Sequence, residues 1–63
     1  MDEKTIGTNA GKVWHVLHDN ETATRYQLMN ETGLEGSEVD AALGWLARED
    51  KITTCKNDRF NLK

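Results

Sequence analysis

Apolar residues recur at helical spacing in three stretches of this chain and alternate in a fourth. In NAGKVWHVLHDN, Ala10, Val13, Trp14 and Leu17 fall on one helical stripe, which Val16 widens. Gly11, His15 and His18 fall on the far side, and Asp19-Asn20 closes the segment with turn-forming residues. Thr8 or Asn9 is the expected cap of a first helix about three turns long, after a polar lead, Met1 to Gly7, anchored only by Ile6. Glu21-Thr22-Ala23 is too short for a full strand, so a very short extra strand near Thr22 is the most it can add. Thr24-x-x-Gln27 then forms a capping-box pattern. It opens a second helix through Tyr26, Leu28 and Met29 to Thr32, stopped by Gly33 and followed by the apolar Leu34.

The stretch SEVDAALGWLAREDKI, Ser37 to Ile52, is the strongest helical signal. Ser37-x-x-Asp40 offers its cap, with Glu35 the alternative one turn earlier. At 100° per residue, Val39, Ala42, Leu43 and Leu46 form the inward face. Ser37, Asp40, Ala41, Gly44 and Arg48 form an outward face that is smooth at its centre. Trp45 lies on a shoulder that the hairpin or the first helix should cover, unless the ring serves a partner.

Beyond Ile52 the pattern changes to alternation. A two-residue loop at Asn57-Asp58 predicts pairing of Lys56 with Arg59, Cys55 with Phe60, Thr54 with Asn61 and Thr53 with Leu62. Thr53, Cys55, Phe60 and Leu62 then point inward, and Thr54, Lys56, Arg59, Asn61 and Lys63 outward. On this register Ile52 is a hinge residue off the strict alternation, and Cys55 is a small buried hydrophobe.

Length bounds these elements to one domain, residues 1–63, with one small core. Hydrophobic residues make up 37% and charged residues 30%, the balance of a globular chain. No run approaches the roughly 18 apolar residues of a membrane span, and no signal peptide is visible, so a cytoplasmic protein without membrane partners is expected. The lone Cys55 has no partner for an internal disulfide. Net charge is −3, but it is unevenly spread: residues 1–50 hold ten acids and four bases, residues 51–63 one acid and four bases. A polyanion would be attracted to the last thirteen residues and repelled by the rest.

Chemistry beyond binding finds little to work with. His15 and His18 project from one helical face, but a third and fourth ligand at metal-site spacing are missing, so both are read as solvated. There is no Gly-rich phosphate loop and no nucleophile beside a base, and no catalytic residue, metal or cofactor is expected.

Three short helices followed by a β-hairpin is the order of a winged helix-turn-helix domain, a mainly helical α+β fold whose hairpin is the wing. More narrowly, NAGKVW at residues 9–14 and ALGWLAREDKI at residues 42–52 resemble a family of short prokaryotic winged helix-turn-helix proteins of uncharacterised function. The wider class implies a place in transcription regulation, with the third helix in the major groove of double-stranded DNA and the wing along its backbone.

On that implication, Arg48 is the helix contribution to DNA contact, and Lys51, Lys56, Arg59 and Lys63 supply about four phosphate contacts from the wing. So few contacts imply weak, salt-sensitive binding, or a need for a partner. The alternative is a protein-interaction or homodimer surface made of Ala41, Gly44, Trp45 and Arg48, for which the acids nearby are harmless.

Overall fold

A computed structural model describes residues 2–63. Six elements follow one another: α1 (Glu3–Asn20), β1 (Thr22–Thr24), α2 (Arg25–Thr32), α3 (Gly36–Arg48), β2 (Ile52–Cys55) and β3 (Arg59–Leu62). The strands form one antiparallel sheet in the order β1-β3-β2, so the short strand at Thr22 converts the two-stranded wing into a three-stranded one.

The helices begin where side chains can serve the free N–H groups of their first turns. In α1 the expected start at Thr8 or Asn9 is too late. Asp2 is the cap, its Oδ1 accepting from the Thr5 N–H at 2.8 Å. Thr8 instead donates its hydroxyl to the Lys4 carbonyl at 2.9 Å, an interior helical position, and Asn9 is buried. The helix therefore runs 18 residues rather than about three turns. Thr24 does cap α2, accepting from the Gln27 N–H at 3.1 Å. The return half of that box is replaced, because Gln27 donates to Glu31 at 2.7 Å. Gly33 ends α2 in the left-handed region, φ 75°, its N–H donating to the Met29 carbonyl. For α3 the earlier start is the one adopted: Glu35 is the cap and Glu38 accepts from its N–H at 3.0 Å, placing Ser37 inside the first turn.

One apolar cluster joins the layers. Val13 and Leu17 of α1, Leu28 of α2, Val39 and Ala42 of α3, and Ala23 of β1 are almost wholly buried, with Leu34, Leu43, Leu46 and Ile52 around them. The inward face of α3 is the one its periodicity predicts. Trp14, Trp45, Phe60 and Leu62 pack on the rim of this cluster, half-buried.

The wing differs from expectation by one residue. Asn57 and Asp58 adopt the left-handed backbone of a primed turn, φ 63° and 58°. Cys55 rather than Lys56 pairs with Arg59, however, and the ladder continues Thr54 with Phe60, Thr53 with Asn61 and Ile52 with Leu62. Lys56 is thus a third loop residue. The physical reason lies at the other end of the ladder: this register sets Ile52 opposite Leu62 on the core face, where Ile52 is buried. Ile52 is accordingly a strand residue and not an off-register hinge. Cys55 moves to the other face and is exposed, not a buried hydrophobe.

Candidate nucleic-acid interface

The outward surface of α3 is built from small residues. Ser37, Gly44 and Arg48 are exposed and Ala41 half-buried, and a Cβ at Gly44 would meet nothing within 4 Å. On the α1 side this surface is bounded by Trp45, whose ring lies about 4 Å from where a Cβ of Gly7 would stand. Trp45 is therefore partly covered by the first helix, and its exposed part divides two surface hollows. One, about 220 Å³, is lined by Gly7, Ala10, Gly11, Trp14, Leu46 and Lys51; the other, about 250 Å³, by Glu3, Arg48 and Glu49.

On the α2 side stands a residue absent from the sequence-based candidates. Arg25, the first residue of α2, donates from Nε to Asp40 Oδ1 at 2.7 Å and from Nη2 to Asp40 Oδ2 at 3.0 Å. The guanidinium hydrogen bond holds the Asp40 carboxyl below its ordinary pKa and raises that of Arg25 in return. Of the acids on or beside the outward face of α3, which repel phosphate, Asp40 is thus matched by a cation. Fifteen residues separate the two, so no local period announces the pair.

The five expected DNA contacts divide into two groups. Lys63 donates to Asp50, and Lys51 Nζ lies 3.9 Å from Glu49 Oε1, so two cations are turned to the acids after α3. Arg48, Lys56 and Arg59 are exposed and have no acidic partner within 4.0 Å among the described residues. Lys56 is at the wing tip. Arg59 leans across the sheet, donating from Nη1 to Thr22 Oγ1 at 3.4 Å. Its partner on β1 is Thr24, the residue directly before Arg25, so the base of the wing and the start of α2 are joined there.

The two histidines of α1 are exposed but not independent. Trp14 stacks on His18 with ring centroids 5.0 Å apart and meets His15 edge-on at 5.4 Å. Among the described residues no group of three or more His, Cys, Asp or Glu is placed to hold a metal ion, and no helix is long and apolar enough to cross a membrane.

Comparison with known proteins bears on the family and the fold. The chain is 39% identical over 56 residues to Uncharacterized protein MJ1608 of Methanocaldococcus jannaschii, covering 86% of this chain and 80% of that protein. Its fold is similar to the solution NMR structure of protein BT2368 from Bacteroides thetaiotaomicron, with a TM-score of 0.87 and 34% identity over 98% of this chain and 79% of that one. A family model described as a winged helix-turn-helix domain, DUF2582, matches residues 1–62, and with three helices and a three-stranded wing in place the chain belongs to that family.

Proposed function

We propose that the chain is a non-enzymatic DNA-binding module of the transcription-regulator type, contacting the duplex with its wing and with α3. The observation that carries this reading is the set of exposed cations without acidic partners among the described residues, Arg48, Lys56 and Arg59, beside a helix face whose centre is Ala41 and Gly44. Small side chains let the helix axis come close to base edges, while the wing cations neutralise phosphates. Lys51 and Lys63 are secondary contributors, since each must leave a carboxylate to reach DNA. Each phosphate neutralised contributes about 0.9 to the slope of log K against log salt, so three contacts give weak binding that fades steeply with salt.

The test is titration of a random-sequence duplex at low and moderate salt with the unmodified chain and with Lys56→Ala/Arg59→Ala. The expected result is binding at low salt, weaker and less salt-dependent in the variant. No binding at low salt, or equal binding by the variant, overturns the reading.

The position of Trp45 between two hollows favours a second reading, a protein interface of Ala41, Gly44, Trp45 and Arg48 that closes a homodimer. Sedimentation at rising concentration tests it, and a monomer throughout removes it.

A further inference from the structure

Arg25 is held more deliberately than a surface ion pair requires. Its guanidinium lies across the first turn of α3 above Gly36, where a Cβ would stand 2.3 Å from Nη2. Only a residue without a side chain lets the plane settle there undisturbed. Gly36 and Asp40 are four residues apart and so share a face of α3, one providing the seat and the other a bidentate clamp. A guanidinium has five N–H donors. Asp40 takes one from Nε and one from Nη2, leaving both on Nη1 and one on Nη2 without a protein acceptor among the described residues. The side chain remains 51% exposed, so the group is within reach of solvent and of a ligand.

The place of this group in the fold indicates what it meets. It stands where α2 begins, over the N-terminal turn of α3, one residue from the β1 partner of Arg59. In a helix-turn-helix the helix before the recognition helix crosses the sugar-phosphate backbone, and the start of the recognition helix lies nearest the bases. Resting on the DNA-binding reading above, we propose that Arg25 is a backbone-phosphate contact, oriented by Asp40 as its positioning residue and admitted by Gly36. On this proposal its unbonded N–H groups donate to a phosphate of the strand that flanks the groove. Asp40 sits behind the guanidinium and fixes its plane, so its own charge is screened from the phosphate by the cation it holds.

The competing explanation is that the pair only ties α2 to α3. Net charge alone would also alter DNA affinity, and the double variant Arg25→Ala/Asp40→Ala separates the possibilities because it keeps the net charge of the parent. The experiment measures binding of a random-sequence duplex by the full chain, by Arg25→Ala and by the double variant across a salt series, with thermal unfolding to show that each is folded. Both variants should bind several-fold more weakly than the parent at low salt. Each salt slope should be shallower by about 1, the mark of one lost phosphate contact. A double variant that binds like the parent overturns the Arg25 contact and leaves the wing-led reading standing. A parent chain that binds no duplex overturns both.

Discussion

Arg25 lies over Gly36 so closely that the glycine's missing Cβ would stand 2.3 Å from the guanidinium Nη2. The clash is with the far end of a flexible side chain, and this decides what Gly36→Ala should do. Alanine is the better helix former by up to about 1 kcal/mol, less at a first-turn position. The guanidinium can swing away at little cost. Gly36→Ala is therefore expected to keep or slightly raise the unfolding temperature while displacing Arg25 and weakening duplex binding. Thermal melts and duplex titration check both halves. A variant that gains stability with unchanged affinity would show that the seat has no bearing on DNA.

The wing turn offers a test of a different kind. Asp58 holds φ 58° directly after Asn57 at φ 63°, a conformation that favours asparagine then glycine in a primed turn. Asp58→Gly should stabilise the chain by roughly 0.5 kcal/mol, or about 2–4 °C in a domain of this size. It also removes the one acid of residues 51–63, so affinity for a duplex at low salt should rise. A lower melting temperature would show that the Asp58 side chain supports the turn in a way its backbone angle does not reveal.

These two sites mark what was legible in the sequence. The inward face of α3 follows from a period of 3.6 residues, because burial of Val39, Ala42, Leu43 and Leu46 is a local consequence of helical geometry. The left-handed residues of the wing turn, Asn57 and Asp58, were legible from their residue types, but the third loop residue and the register were not: strand alternation admits two solutions one residue apart, and the burial of Ile52 against the helices selects between them. The start of α1 was hidden by Gly7, Thr8 and Gly11, weak helix formers that packing overrides, and by a cap as early as Asp2. Of the candidate site, the wing cations could be read from charge alone. The ion pair of Lys63 with Asp50 and the clamp on Arg25 depend on tertiary proximity, which no spacing rule supplies, whereas Lys51 and Glu49 are only two residues apart.

Acid should reveal two carboxylates that the fold holds below their ordinary pKa. Asp2 is held below its ordinary value of 3.8 chiefly by the Thr5 backbone N–H, and Asp40 below the same value chiefly by the Arg25 hydrogen bond. A folded-state pKa below the unfolded one means that the unfolded chain binds protons first as pH falls. The stability these groups contribute is therefore present above the unfolded value and is lost as pH drops below about 4 through their folded values. Asp2→Asn keeps a capping acceptor but cannot titrate, and Asp40→Asn loses the ionic clamp. The urea midpoint of the double variant Asp2→Asn/Asp40→Asn, followed from about pH 5 to pH 2, should fall less steeply than that of the parent. Parallel profiles would assign the acid limb to other carboxylates.

Gly44 distinguishes a helix that enters DNA from one that merely supports the wing. It is exposed at the centre of the outward face of α3, and a Cβ there would meet nothing within 4 Å. Gly44→Lys and Gly44→Glu should both stabilise the helix, by up to about 1 kcal/mol, because lysine and glutamate have similar helix propensities and both exceed glycine. Their effects on DNA should be opposite. A lysine facing the groove adds a phosphate contact and steepens the salt slope by about 1, whereas a glutamate in the same place brings a carboxylate against phosphate. Melting curves establish that the stabilities match, and duplex titration across salt then reads the charge. Equal affinities for the two variants would place DNA on the wing alone and leave the smooth face of α3 free for a protein partner.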